Sequence, residues 1–126
     1  MKRMLTFFAL AAVISSFTVM VGMDDVVAAL KKGNASQVAR YFDNIVEITL
    51  PEKSNSYSRT QAETILRDFF RIKSVKGFDV IHIGDNGGSQ YCIGTLFTST
   101  ATYRTTLFMK QKANKQTLQE IRFENR

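Results

Sequence analysis

The last third of the chain limits the fold more than any other stretch. From Phe78 to Glu124, four segments alternate apolar and polar residues, with turn signals between them. Asp85-Asn86-Gly87-Gly88 predicts a tight turn with Asn86 and Gly87 at its tip. That turn sets His82 opposite Tyr91 and Val80 opposite Ile93. A second turn near Thr100 sets Phe97 opposite Tyr103, Thr95 opposite Thr105 and Ile93 opposite Leu107. A loop at Ala113-Asn114-Lys115 sets Leu107 opposite Ile121 and Thr105 opposite Phe123. Cross-strand partners share a face. One face therefore gathers Phe78, Val80, His82, Tyr91, Ile93, Thr95, Phe97, Tyr103, Thr105, Leu107, Met109, Gln119, Ile121 and Phe123, and this is the predicted core face. The other gathers Asp79, Gln90, Arg104, Leu118, Glu120, Arg122 and Glu124 around an apolar island of Ile81, Cys92, Leu96 and Phe108. Such an island exceeds what a solvated surface needs, so it is read as a homodimer contact.

Upstream the periodicity changes. Asp24 to Lys32 carries acids in its first turn, lysines in its last and Gly33 at its end, which predicts a short helix. Asn34 or Ser36 can cap a second short helix through Val38, Ala39, Tyr41 and Phe42. Asn34-Ala35-Ser36 also fits a glycosylation sequon, and the cap is the preferred reading. Ile45 to Leu50 alternates as a strand that Pro51 ends. Glu52 to Arg59 is polar and reads as a loop, with a brief return strand at Tyr57 to Arg59. Thr60 with Glu63 predicts a capping box for a helix to Ile72, whose Ala62, Ile65, Leu66 and Phe69 form a buried stripe.

The 126 residues suffice for one domain. Residues 1–22 read as an export signal: Met1-Lys2-Arg3, an apolar run from Leu5 to Val21, and the small residue Gly22 before Asp24 and Asp25. An uncleaved membrane anchor is the alternative, because a run of about 18 apolar residues spans a bilayer. Both place a domain of residues 23–126 outside the cytoplasm, in the periplasm or beyond. The net charge is +6; without Lys2 and Arg3, 15 basic residues face 11 acidic ones, spread along the chain. Nucleic-acid binding needs a concentrated basic stripe, which is absent. The single cysteine, Cys92, excludes an internal disulfide.

The pattern helix, helix, strand, helix, long antiparallel sheet resembles the nuclear transport factor 2-like (cystatin-like) fold. Asp25 to Asn34, Phe42-Asp43, Ala62-Glu63 with Ile65-Leu66 and Phe69-Phe70, Gly77-Phe78, Gly88 to Gly94, Tyr103-Arg104 and Ile121-Arg122 carry a resemblance to the domain of unknown function 4783 family of small exported bacterial proteins. The resemblance implies an α+β cone with helices on the concave face of a bent antiparallel sheet. It also implies an open end that often takes a small apolar ligand, and dimerisation across the sheet. It transfers no catalytic residue.

Chemistry is sparse. His82 is the only histidine, and beside Tyr91 it is the weak candidate for a general base in an isomerase-like or dehydratase-like enzyme. Enzymes of the resembled fold that abstract protons commonly hold an acid inside the cone, whereas Asp79, Glu120 and Glu124 all fall on the outer face. No clustered metal ligands and no phosphate-binding loop are present, so neither a metal nor a cofactor is expected. The predicted interior offers His82, Tyr91, Thr95, Tyr103, Thr105 and Gln119 as a ligand lining. The favoured function is a non-enzymatic exported binding domain. A structural envelope module that docks a protein through its sheet is a third reading.

Overall fold

The computed structural model describes residues 21–126; the expected export signal, residues 1–22, falls almost wholly outside them. Among the described residues, three helices and six strands follow one another: α1 (Val21–Lys32), α2 (Ala35–Ala39), β1 (Phe42–Leu50), β2 (Lys53–Ser58), α3 (Arg59–Lys73), β3 (Val75–Asn86), β4 (Ser89–Thr98), β5 (Thr102–Lys112) and β6 (Lys115–Asn125). The strands form one sheet in the order β2-β1-β6-β5-β4-β3. All neighbours are antiparallel except β1 and β6, whose parallel pairing sets Ile48 beside Ile121. The sheet is therefore mixed. Among the described residues, no helix is long and apolar enough to cross a membrane.

Local chemistry accounts for the helices. In α1, Met23, Val26, Val27 and Leu30 recur at helical spacing and are all buried. Gly33, at φ +64°, lets the Gly33 and Asn34 amides bond back to the Leu30 and Ala29 carbonyls. The Asn34 side chain then accepts from the Gln37 amide and starts α2, as the cap reading expects. The box on α3 sits two residues earlier than the sequence suggests. Ser58 is the cap and Gln61 its reciprocal partner, while Thr60 lies inside the helix. The α3 stripe of Ala62, Leu66, Phe69 and Phe70 is buried. Helix α1 packs over β3, β4 and β6, and α3 over β1 and β2. Strand β2, expected as a loop, pairs along its whole length from Lys53 to Ser58. Periodicity misses it because this edge strand is almost wholly exposed and buries only part of Tyr57.

The register of the last strands differs from the expected one in four places. Gly87 and Gly88, both with positive φ, form the first turn, so Asn86 pairs with Ser89. The β4–β5 turn is shifted by one residue, which sets Leu96 opposite Tyr103 and Cys92 opposite Leu107. A shift of one residue turns every side chain of a strand over. Gln90, Cys92, Gly94 and Leu96 thus lie under the helices, and Tyr91, Ile93, Thr95 and Phe97 face outward. A bulge between Val80 and His82 preserves the inward aim of Phe78 and turns His82 out. A second bulge, opposite Phe108 and Met109, brings Leu118 into the core in place of Gln119. The β5–β6 pairs Leu107 with Ile121 and Thr105 with Phe123 are as expected.

Candidate functional site

The core of the cone is closed by its own side chains. Phe123 is fully buried and lies 4.9 Å from Phe69 and 6.0 Å from Phe70, centroid to centroid. The Phe69 ring meets Tyr103 edge-on at 5.5 Å. Around this plug, Leu66, Leu96, Leu107, Met109, Leu118 and Ile121 are all excluded from solvent. Space opens past Phe69, at the mouth between α3 and the β1–β2 turn. A pocket of about 490 Å³ lies there, with Leu50, Pro51, Ile65, Phe69, Ile72 and Tyr103 as its apolar surface. Glu52, Lys53, Asp68, Lys73 and Asn125 complete the lining with polar groups. Apolar walls with a few polar groups suit a small amphiphilic molecule. Ile72, in the last turn of α3, is 69% exposed. Ile65, Phe69 and Ile72 form a second stripe on α3 beside the core stripe, and this is the signal by which the sequence marks the pocket. It is easily read as core instead.

The sequence-predicted lining disperses. Tyr103 alone borders the pocket. Thr105 is fully buried in the core, its hydroxyl donating to the Tyr103 carbonyl. Thr95 is on the outer face, buried because Arg126 lies over it and donates to its hydroxyl. Gln119 sits at the β6 bulge, and its amide donates to Asp43 at 3.0 Å. His82 and Tyr91 do meet, with Nε2 and the phenol oxygen 3.2 Å apart, but on the outer face and exposed. The Tyr91 ring packs closely on Gly84, where a Cβ would stand 2.2 Å from it.

The expected dimer island also divides. Cys92 and Leu96 are wholly buried under the helices, whereas Phe108 is 36% exposed on the outer face and Ile81 bulges from the edge strand β3. Burial pushes the Cys92 thiol up to about 11. Asp79 and Glu120 lie on the outer face, opposite Thr95 and Phe108 respectively. Among the described residues, no three His, Cys, Asp or Glu side chains come together as metal ligands.

Two polar contacts anchor the end of the sheet remote from the mouth. Lys112 reaches Asp43 at 2.9 Å; its hydrogen bond, and that of the Asn44 amide, hold the Asp43 carboxyl below its ordinary range. Tyr41 donates to Asp25, which raises the phenol to about 12.

A helix-lined, strongly paired sheet with its opening at one end defines a protein of the nuclear transport factor 2-like class. The chain belongs to the domain of unknown function family DUF4783, whose model matches residues 23–124. A DUF4783 protein from Bacteroides fragilis YCH46 is 35% identical, with a TM-score of 0.77 over 81% of this chain and 96% of that one. Another, from Bacteroides uniformis ATCC 8492, is 28% identical, with a TM-score of 0.79 over 82% and 95%. An NTF2-like protein of unknown function from Burkholderia xenovorans LB400, 12% identical, shares the fold at a TM-score of 0.66 over 86% of this chain and 84% of that one. No curated protein matches the sequence.

Proposed function

We propose that this protein is an exported, non-enzymatic binding domain that holds a small amphiphilic ligand at the mouth between α3 and the β1–β2 turn. The observation that carries this reading is the pocket of about 490 Å³, with Leu50, Pro51, Ile65, Phe69 and Tyr103 in its lining and an unshielded Ile72 at its rim. Burying an isoleucine side chain contributes about 1.5–3 kcal/mol, so a ligand that covers Ile72 gains in proportion to the area it removes from water. The test uses a fluorescent fatty-acid probe and the variant Ile72→Glu. The native protein should bind the probe saturably. The variant should lose that binding and keep its thermal midpoint, because Ile72 contributes little to the core. Absence of saturable binding, or equal binding by the variant, refutes the reading.

Homodimerisation is a second proposal, supported by a different residue set from the expected one. Phe97 and Phe108, each more than a third exposed, share the outer face with Tyr91 and Ile93. Phe108→Asp should leave a folded monomer by light scattering. A native protein that is already monomeric sinks this proposal. The isomerase or dehydratase alternative gains no support from His82 and Tyr91, since the pair stands on an open surface that does nothing to exclude water.

A further inference from the structure

At the other end of the domain a second hollow, of about 460 Å³, lies among the start of β1, the first residue of α3 and the β5–β6 turn. It is separated from the mouth by the length of β1, ~26 Å at ~3.3 Å per residue, and by the length of α3, ~21 Å at ~1.5 Å per residue. Three cations border it, Arg40, Arg59 and Lys115, and none of its lining residues is a carboxylate. Among the described residues, none of the three forms an ion pair. Arg59 is held in place by neutral acceptors: Nε donates to the Phe42 carbonyl at 3.2 Å and Nη2 to Asn44 Oδ1 at 3.1 Å. Its charge is therefore fixed in position without a direct ion-pair partner, although it also acts at longer range on Asp43, and its other N–H donors remain for a ligand. The neighbouring carboxylates are already committed, Asp43 to Lys112 and Asp25 to Tyr41. A further lining group, Gln116, has a buried Oε1 with no hydrogen-bond partner. A buried acceptor left unpaired is costly and is relieved by a donor on a ligand.

We propose that this hollow binds a phosphate ester bearing a free hydroxyl, the phosphate on Arg40, Arg59 and Lys115 and the hydroxyl donating to Gln116. An arginine fork matches a phosphate in shape and charge, and two further cations at the same hollow favour a phosphate over a simple carboxylate. The volume exceeds that of a bare phosphate and leaves room for a short polyol. Two sources share this chemistry: a soluble phosphomonoester and the headgroup of phosphatidylglycerol.

The test is titration of the full chain at low ionic strength, where screening is least, with amide chemical shifts and calorimetry as readouts. The probes are inorganic phosphate, glycerol 3-phosphate, vesicles containing phosphatidylglycerol and vesicles of phosphatidylcholine alone. Glycerol 3-phosphate should bind more tightly than inorganic phosphate and shift the amides of residues 40, 59 and 114–117. The double variant Arg40→Gln, Lys115→Gln should weaken binding at least tenfold with the thermal midpoint unchanged, since both side chains are exposed. Saturation by the soluble ester identifies a free metabolite as the source. Binding confined to phosphatidylglycerol vesicles, and lost in the double variant, identifies the lipid headgroup. No binding to any phosphate probe, or binding that the double variant retains in full, overturns the proposal. Neither result bears on the apolar mouth, which the fatty-acid probe tests separately.

Discussion

Leu96 and Phe97 are adjacent in β4 and point to opposite sides of the sheet, so truncating each in turn tests the strand register. Leu96 is fully buried, opposite Tyr103, whereas Phe97 is 37% exposed and opposite Thr102. Leu96→Ala removes buried side-chain carbons from a closed core and leaves a cavity. Such substitutions cost about 2–5 kcal/mol, the transfer term plus the cavity term. A domain of this size has roughly 5–15 kcal/mol of stability in all. A loss of about 3 kcal/mol lowers the thermal midpoint by roughly 12–24 °C, taking 4–8 °C per kcal/mol for a domain of about 100 residues. Phe97→Ala opens no enclosed cavity and should cost less than half as much, despite the larger side chain. Urea denaturation followed by circular dichroism measures both, with equal slopes required so that the midpoints compare directly. The reverse order, with Phe97→Ala the more damaging, would falsify the register and return Leu96 to the outer face.

Three further outcomes follow from the same coordinates. Cys92 should resist a thiol reagent at pH 8 in the native state and react only once urea unfolds the chain, because it is wholly buried and its thiol is raised to about 11; native reactivity at the rate of a free thiol contradicts its placement. The depressed Asp43 carboxyl contributes stability that is fully present above its ordinary value of 3.8 and is lost as the pH falls through the lower folded value. Urea midpoints measured from pH 5 to pH 2 should therefore fall less steeply in Asp43→Asn than in the native protein, and parallel curves would show that the Lys112 contact does not persist in solution. Asp25→Asn should move one tyrosine ionisation in an ultraviolet titration down from about 12, since the Asp25 hydrogen bond is the main cause of the raised Tyr41 value; an unchanged titration refutes that contact.

The sequence by itself determined the class of fold. Met23 to Leu30 and Ala62 to Phe70 repeat at the helical period, Gly33 and Asn34 end one helix and start the next, and Leu107, Ile121, Thr105 and Phe123 pair as their alternation requires. These are local signals, and each survives whatever surrounds it. The tertiary structure alone decided which side of β4 is inside. That strand carries apolar residues on both faces, Cys92 and Leu96 on one, Tyr91, Ile93 and Phe97 on the other, so alternation does not choose between them. The choice fell to the exact turn residues and to two bulges, at Ile81 and Gln119, each of which adds a residue and reverses the phase beyond it. The site moved for the same reason. A lining read from strand phase inherits every phase error, and the pocket instead borders α3 and the β1–β2 turn, which no strand pattern reports. Periodicity records which residues seek burial; only packing in three dimensions settles which of them find it.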